Sequence, residues 1–152
     1  MRKFLQLVFV LFLATTSVYA TDFESIRKNY DQFVSDKELC QKTLKQLSES
    51  KNDSALHQAY LGVLETVWAN HVISPFKKLK TFKSGKQNID AAIGLEPENV
   101  EIRFIRLSVQ KNAPSFLGYN NHIKEDTAFI KKNRHLVTSV ILNKHITSLL
   151  NE

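Results

Sequence analysis

Between Leu56 and Val72 the apolar side chains Leu56, Tyr60, Val63, Leu64, Val67, Trp68 and Val72 recur at helical spacing. At about 100° per residue they cover more than half of a helix circumference. A helix that apolar must be covered on two sides, so the segment predicts the central helix of a domain. Four Gly and three Pro in 152 residues argue against an all-β domain, which needs many tight turns. The fold class expected is all-α.

Helix punctuation agrees. Ser35-Asp36-Lys37-Glu38 reads as a capping box opening a helix with Leu39, Cys40, Leu44 and Leu47 on its apolar face. Asp53 or Ser54 caps the central helix. Ser74-Pro75 puts a capping hydroxyl before proline at the first helical position, and that helix runs through Phe76, Leu79, Phe82, Ile89 and Ile93. Pro97 and Asn99 mark another start and Ala113-Pro114 a stop. Asn120 or Asn121 opens a helix through Ile123 and Phe129, and Thr138 caps a last one with Ile141, Leu142, Ile146 and Leu149. With a first helix over 22–33, this predicts six or seven helices stacked as antiparallel hairpins. Val100, Ile102 and Phe104, then Ile105, Leu107 and Val109, alternate as a strand would. The Asn99 cap and the lack of any partner strand favour helix there.

The first twenty residues predict export. Arg2 and Lys3 precede an apolar run from Phe4 to Leu13, and Val18-Tyr19-Ala20 fits a leader-peptidase site. That run falls short of the roughly 20 residues that span hydrocarbon. The expectation is a cleaved signal peptide over 1–20, a single helical-hairpin domain over 21–152, no stable membrane anchor after cleavage, and a periplasmic or extracellular location. Without Arg2 and Lys3 there remain 19 basic and 15 acidic side chains, a mildly basic balance unlike a nucleic-acid-binding surface. Cys40 is the only cysteine and shares a helix face with Leu44 and Leu47, which predicts a buried, inert thiol. Asn52-Asp53-Ser54 matches a glycosylation sequon, relevant only in a host that secretes through an endoplasmic reticulum.

The stretch Ile89-Asp90-Ala91-Ala92-Ile93-Gly94-Leu95-Glu96-Pro97-Glu98-Asn99 resembles the end of one tetratricopeptide repeat and the start of the next. Anchored on Pro97, Ile89 and Ala92 match the family's apolar and small second-helix positions, and Gly85 its small crossing residue. The likeness covers about one repeat. The repeat's bulky first-helix positions fall on Ala69, Val72, Ile73 and Phe76, without its Trp and Gly. In the next unit, Arg103 and Arg106 stand at inward positions. The whole chain also resembles small exported bacterial helical proteins. These resemblances imply hairpins crossing tightly at small residues and carry no activity with them.

No CxxC, HExxH, GxSxG or dinucleotide fingerprint occurs, so no cofactor or catalytic residue is expected. Lys83-Ser84-Gly85-Lys86 lacks the earlier glycine and the following Ser/Thr of a phosphate loop. His57 and His71, roughly 21 Å apart along one helix, cannot share a metal and are read as core histidines bonded locally; His71 beside Trp68 is the one that would line a pocket. His122, Glu125 and Asp126 lie one turn apart and are read as an exposed first turn satisfying the helix dipole. Lys77, Lys78, Lys80, Lys83 and Lys86 project in several directions, with Asp90 the natural partner of Lys86. One reading has Lys83, Lys86, Arg103 and Arg106 converge on an anionic group; the plainer reading pairs the arginines with Glu98 or Glu101, or leaves them solvated. The segment 112–121 is rich in aromatic and amide groups and suits either packing, through Phe116, Leu117 and Tyr119, or binding.

Three functions follow in order. The first is a non-catalytic exported module binding a protein or peptide between hairpins. The second is a protein or small enzyme holding an anionic ligand, with Trp68, His71, Lys83, Lys86, Arg103, Arg106 and Tyr119 as the ligand-binding residues. The third is adhesion to anionic lipid or polysaccharide through the lysine-rich helix.

Overall fold

Short polar side chains start most of the helices in the computed structural model, which describes residues 22–151. The expected leader, 1–20, lies outside the described residues. Asp22, Asp36, Ser54, Ser74 and Asn99 each accept a backbone N–H from the first turn that follows, filling donors that helix geometry leaves unpaired. The α-helices are α1 (Phe23–Lys28), α2 (Lys37–Glu49), α3 (Ala55–His71), α4 (Pro75–Leu95), α5 (Val100–Asn112), α6 (Ile123–Asn133) and α7 (Val140–Asn151). Short 3-10 turns cover Tyr30–Val34, Ser115–Leu117 and Arg134–Leu136. The described residues are all-α, without a strand. None of their helices is long and apolar enough to cross a membrane.

Several boundaries depart from expectation for local reasons. The helix expected over 22–33 breaks at Asn29 and continues as a 3-10 turn. Asp36, not Ser35, caps α2 through Leu39 N–H at 2.9 Å, because Ser35 Oγ donates to the Gln32 carbonyl instead. Ser139, not Thr138, caps α7. Neither Asn120 nor Asn121 caps α6; its first turn is tied instead to α5, where Gln110 Oε1 accepts the His122 N–H at 3.1 Å.

Neighbouring helices run antiparallel. Cys40 meets Leu64 and Leu47 meets His57 across α2 and α3; Gln58 meets Asn88 and Glu65 meets Ser84 across α3 and α4. Arg103 and Gln110 of α5 face Asp126 and His122 of α6 in the same sense. The α3–α4 pair crosses on two glycines. A Cβ on Gly62 would lie 2.6 Å from the Gly85 carbonyl oxygen, and one on Gly85 would collide with the Gly62 carbonyl. Gly85 is buried at this contact and Ala92 is buried farther along α4, while Gly62, the partner of Gly85, carries no repeat signature. Residues 69–76, where a repeat's first helix would lie, contain the α3–α4 link.

As expected, α3 touches α2, α4 and α5. Yet the most enclosed helix is α5, buried at every residue from Val100 to Gln110. That explains its missing periodicity, since a helix covered on all sides has no solvent face to mark. Cys40 is fully buried, and burial pushes its thiol up to about 11, far from a reactive thiolate.

Candidate functional site

On the link side of the α3–α4 crossing lies a cleft of about 780 Å³, a size that suits a drug-sized ligand. Val63 and Val67 of α3, Leu79 and Phe82 of α4, Phe104 and Val109 of α5 and Leu149 of α7 supply its apolar wall. The turn at Tyr30–Val34 and the loop at 112–117 close its sides. Ser74-Pro75 starts α4 shortly after α3 ends, and the first turns of α4 bring Pro75, Lys78, Leu79 and Phe82 to the cleft wall.

One part of the wall is polar, and its groups are already paired. The Tyr30 hydroxyl and Ser108 Oγ lie 2.6 Å apart, and burial raises the Tyr30 phenol above its ordinary value. Nε2 of His145 donates to the Arg27 carbonyl at 2.7 Å, while Nδ1 sits 3.2 Å from the Asp31 carboxylate. With both ring nitrogens engaged, His145 has none left to draw a proton from Ser148, one turn along α7 on the same wall. A serine–histidine–aspartate arrangement of residue types is therefore present without the geometry of a nucleophile and base.

None of the seven side chains chosen from sequence lines this cleft. The structure puts six of them in three places and leaves Lys83 apart. Trp68 and His71 stack at 5.6 Å, with Lys37 Nζ 5.8 Å from the indole ring, and His71 Nε2 donates to the Phe33 carbonyl. Tyr119 packs edge-on to Phe82 and donates its hydroxyl to Asp90 at 2.8 Å. Burial, then the Asp90 charge, raises its phenol well above the ordinary value. Lys86 lies 5.2 Å over the Tyr119 ring, not in an ion pair with Asp90. Lys83 is exposed on α4.

The third place is an ionic cluster between α5 and α6. Arg106 grips Asp126 with two parallel bonds of 2.7 Å, and Arg103 Nη1 reaches the same carboxylate at 2.9 Å and Glu125 at 2.5 Å. Arg103 Nε donates to the Pro97 carbonyl, and its guanidinium lies 4.8 Å from the Phe129 ring. Asp126 is fully buried, contrary to the expected exposed first turn. Two cations thus meet two carboxylates, leaving no net charge for an anionic ligand. The expected convergence of Lys83, Lys86, Arg103 and Arg106 does not form. Glu125, held by the Arg103 bond and then by His122, drops to about 2.

Glu101, the expected partner of these arginines, is instead gripped by Arg27 of α1 through bonds of 2.7 and 2.6 Å, and Tyr60 donates to it as well. Charge-assisted paired bonds of this kind satisfy a buried carboxylate. Sequence reasoning missed Arg27, Tyr60 and the cleft. The available signal was α5 itself, where Glu101 and Ser108 fall on one face and Arg103, Arg106 and Gln110 on the opposite one, so that both faces require polar partners. Among the described residues no group of three or more His, Cys, Asp or Glu is placed to hold a metal. No family model, curated protein or solved structure matches this chain.

Proposed function

We propose that this protein is an exported, non-catalytic binding module whose site is the cleft between the α3–α4 hairpin and α7, with an apolar molecule as its occupant. The observation that carries the reading is the cleft itself: about 780 Å³ enclosed mainly by aliphatic and aromatic side chains. Burial of apolar surface is the only large free energy such a wall offers a ligand. Tyr30 and Ser108, and His145 and Asp31, on that wall are already paired with one another, which favours binding over chemistry. The leader-like residues 1–20 support export, and the tight Gly62–Gly85 crossing supports a tetratricopeptide-like hairpin array. The partner protein or peptide expected from the sequence would use the same cleft by inserting apolar side chains.

Titration with the neutral fluorescent probe N-phenylnaphthylamine tests this reading. The expected result is saturable binding at one site, weakened at least about tenfold by Asn112→Trp and by Ser148→Trp, as expected for filling a ligand's contact volume. Both positions are exposed on the cleft wall, so helix content by circular dichroism should stay unchanged. Unsaturable binding, or equal binding by both folded variants, would sink the proposal.

A further inference from the structure

The first turns of α4 expose unusual surface. Ile73 is 95 % exposed and Phe76 77 %, and Leu79 is also exposed; Phe116, on the facing loop, is 84 % exposed. Leu79, Phe116 and Pro75 belong to the cleft wall, and Phe76 stands one turn before Leu79 and Lys80 on α4. Phe76, Lys80 and Lys83 follow one another at helical spacing, with Leu79 beside them. The opposite face, with Phe82, Gly85, Ile89 and Ala92, is buried against α3.

Charge is one-sided here. No Asp or Glu occurs between Glu65 and Asp90, whereas Lys77, Lys78, Lys80, Lys83 and Lys86 all do. The carboxylates packed nearest are committed elsewhere: Glu65 to Ser84 and Asn88, Asp90 to Tyr119, and Asp31 to His145. Lys77, Lys78, Lys80 and Lys83 are exposed. Exposed aromatic and aliphatic tips set among uncompensated lysines match the physics of an interfacial surface, in which apolar side chains enter the headgroup boundary and cations meet anionic lipid.

We infer that the exposed face of the first turns of α4, at the rim of the cleft, seats on an anionic lipid surface, with Phe76, Leu79 and Phe116 inserted and Lys77, Lys80 and Lys83 against the headgroups. An acidic protein would satisfy the lysines, but three apolar tips on α4 and the 112–117 loop would then need a partner contoured to each. A lipid boundary takes any contour. The inference goes beyond the binding role proposed above and holds whatever the cleft contains.

Flotation of the full protein, as its host processes it, with phosphatidylcholine vesicles containing phosphatidylglycerol is the test. The protein should float with these and not with pure phosphatidylcholine, and should be released as salt rises from about 0.1 to about 1 M. The triple variant Lys77→Gln/Lys80→Gln/Lys83→Gln should weaken binding roughly a hundredfold, at about fivefold for each lysine. Phe76→Ser/Phe116→Ser should weaken it at least about tenfold through the apolar contribution. Both variants change exposed positions, so their circular dichroism should match the parent. Failure to float, equal flotation with neutral vesicles, or full binding by either folded variant overturns the inference. So does binding to polyglutamate as tight as to the anionic vesicles, which would assign the surface to an acidic polypeptide. Probe binding by the lysine variant in the absence of vesicles should equal the parent's, which separates this inference from the role of the cleft.

Discussion

Two hairpins in this molecule are locked by opposite means. The α3–α4 pair is locked by shape, with Gly62 and Gly85 so close that neither can carry a methyl group. The α5–α6 pair is locked by charge, with Asp126 sealed between two arginines. Shape complementarity ignores pH and salt but fails with one added carbon. A buried ion pair tolerates small shifts of shape, yet losing one partner strands the other's charge in a poorly solvated site.

The largest effect should come from Asp126→Ala, which leaves Arg103 and Arg106 facing each other with only the exposed Glu125 between them. Chemical denaturation should show a loss of about 3–5 kcal/mol, the cost of breaking a buried pair from one side. A loss below about 1 kcal/mol would mean that solvent reaches the cluster and the charge lock is nominal.

Gly85→Ala comes next. Overpacking at a helix crossing typically costs about 1–3 kcal/mol, and here the obstruction is backbone, which cannot swing aside. Gly94→Ala sharpens the comparison. It lies on the same helix with nothing within 4 Å of its added Cβ, so it should stabilise by roughly 0.5 kcal/mol through helix propensity. If the two variants melt alike, close approach is not what holds α3 to α4.

The smallest effect concerns acid. Glu125 falls from its ordinary 4.5 to about 2 in the folded protein. A depressed carboxyl contributes stability that is complete above its unfolded value and disappears as pH drops from about 4.5 towards 2. Because Glu125 is 55 % exposed, solvent screening keeps this contribution under about 1 kcal/mol. Urea midpoints for the parent and Glu125→Gln should therefore differ slightly at pH 6 and converge near pH 2. A gap that widens on acidification would reverse the assignment.

How legible each region was from sequence follows the same division. Caps at Ser54, Ser74 and Asn99 are local, made within three residues of the helix they start, and they read directly from the chain. The buried Cys40 and the central position of α3 follow from apolar periodicity. The site residues were a different matter. Arg103 and Arg106 stood out correctly as inward-facing cations, but their partner Asp126 is twenty or more residues away, and Arg27 meets Glu101 across seventy-four. No local pattern chooses among fifteen acidic side chains at such distances. The cleft was less visible still, because its apolar wall uses the same residue types as a core.

By itself, the sequence determined that the chain is helical, roughly where most helices lie, and which of their faces are apolar. Those properties depend on hydrogen bonds and side-chain spacing within a few residues. Only the tertiary structure decided that Gly62 meets Gly85, that Arg103 and Arg106 of α5 meet carboxylates of α6, and that the start of α4 lines a cleft. Each of these depends on where helices cross, and crossing is fixed by the fit of whole surfaces that the chain brings together from distant positions.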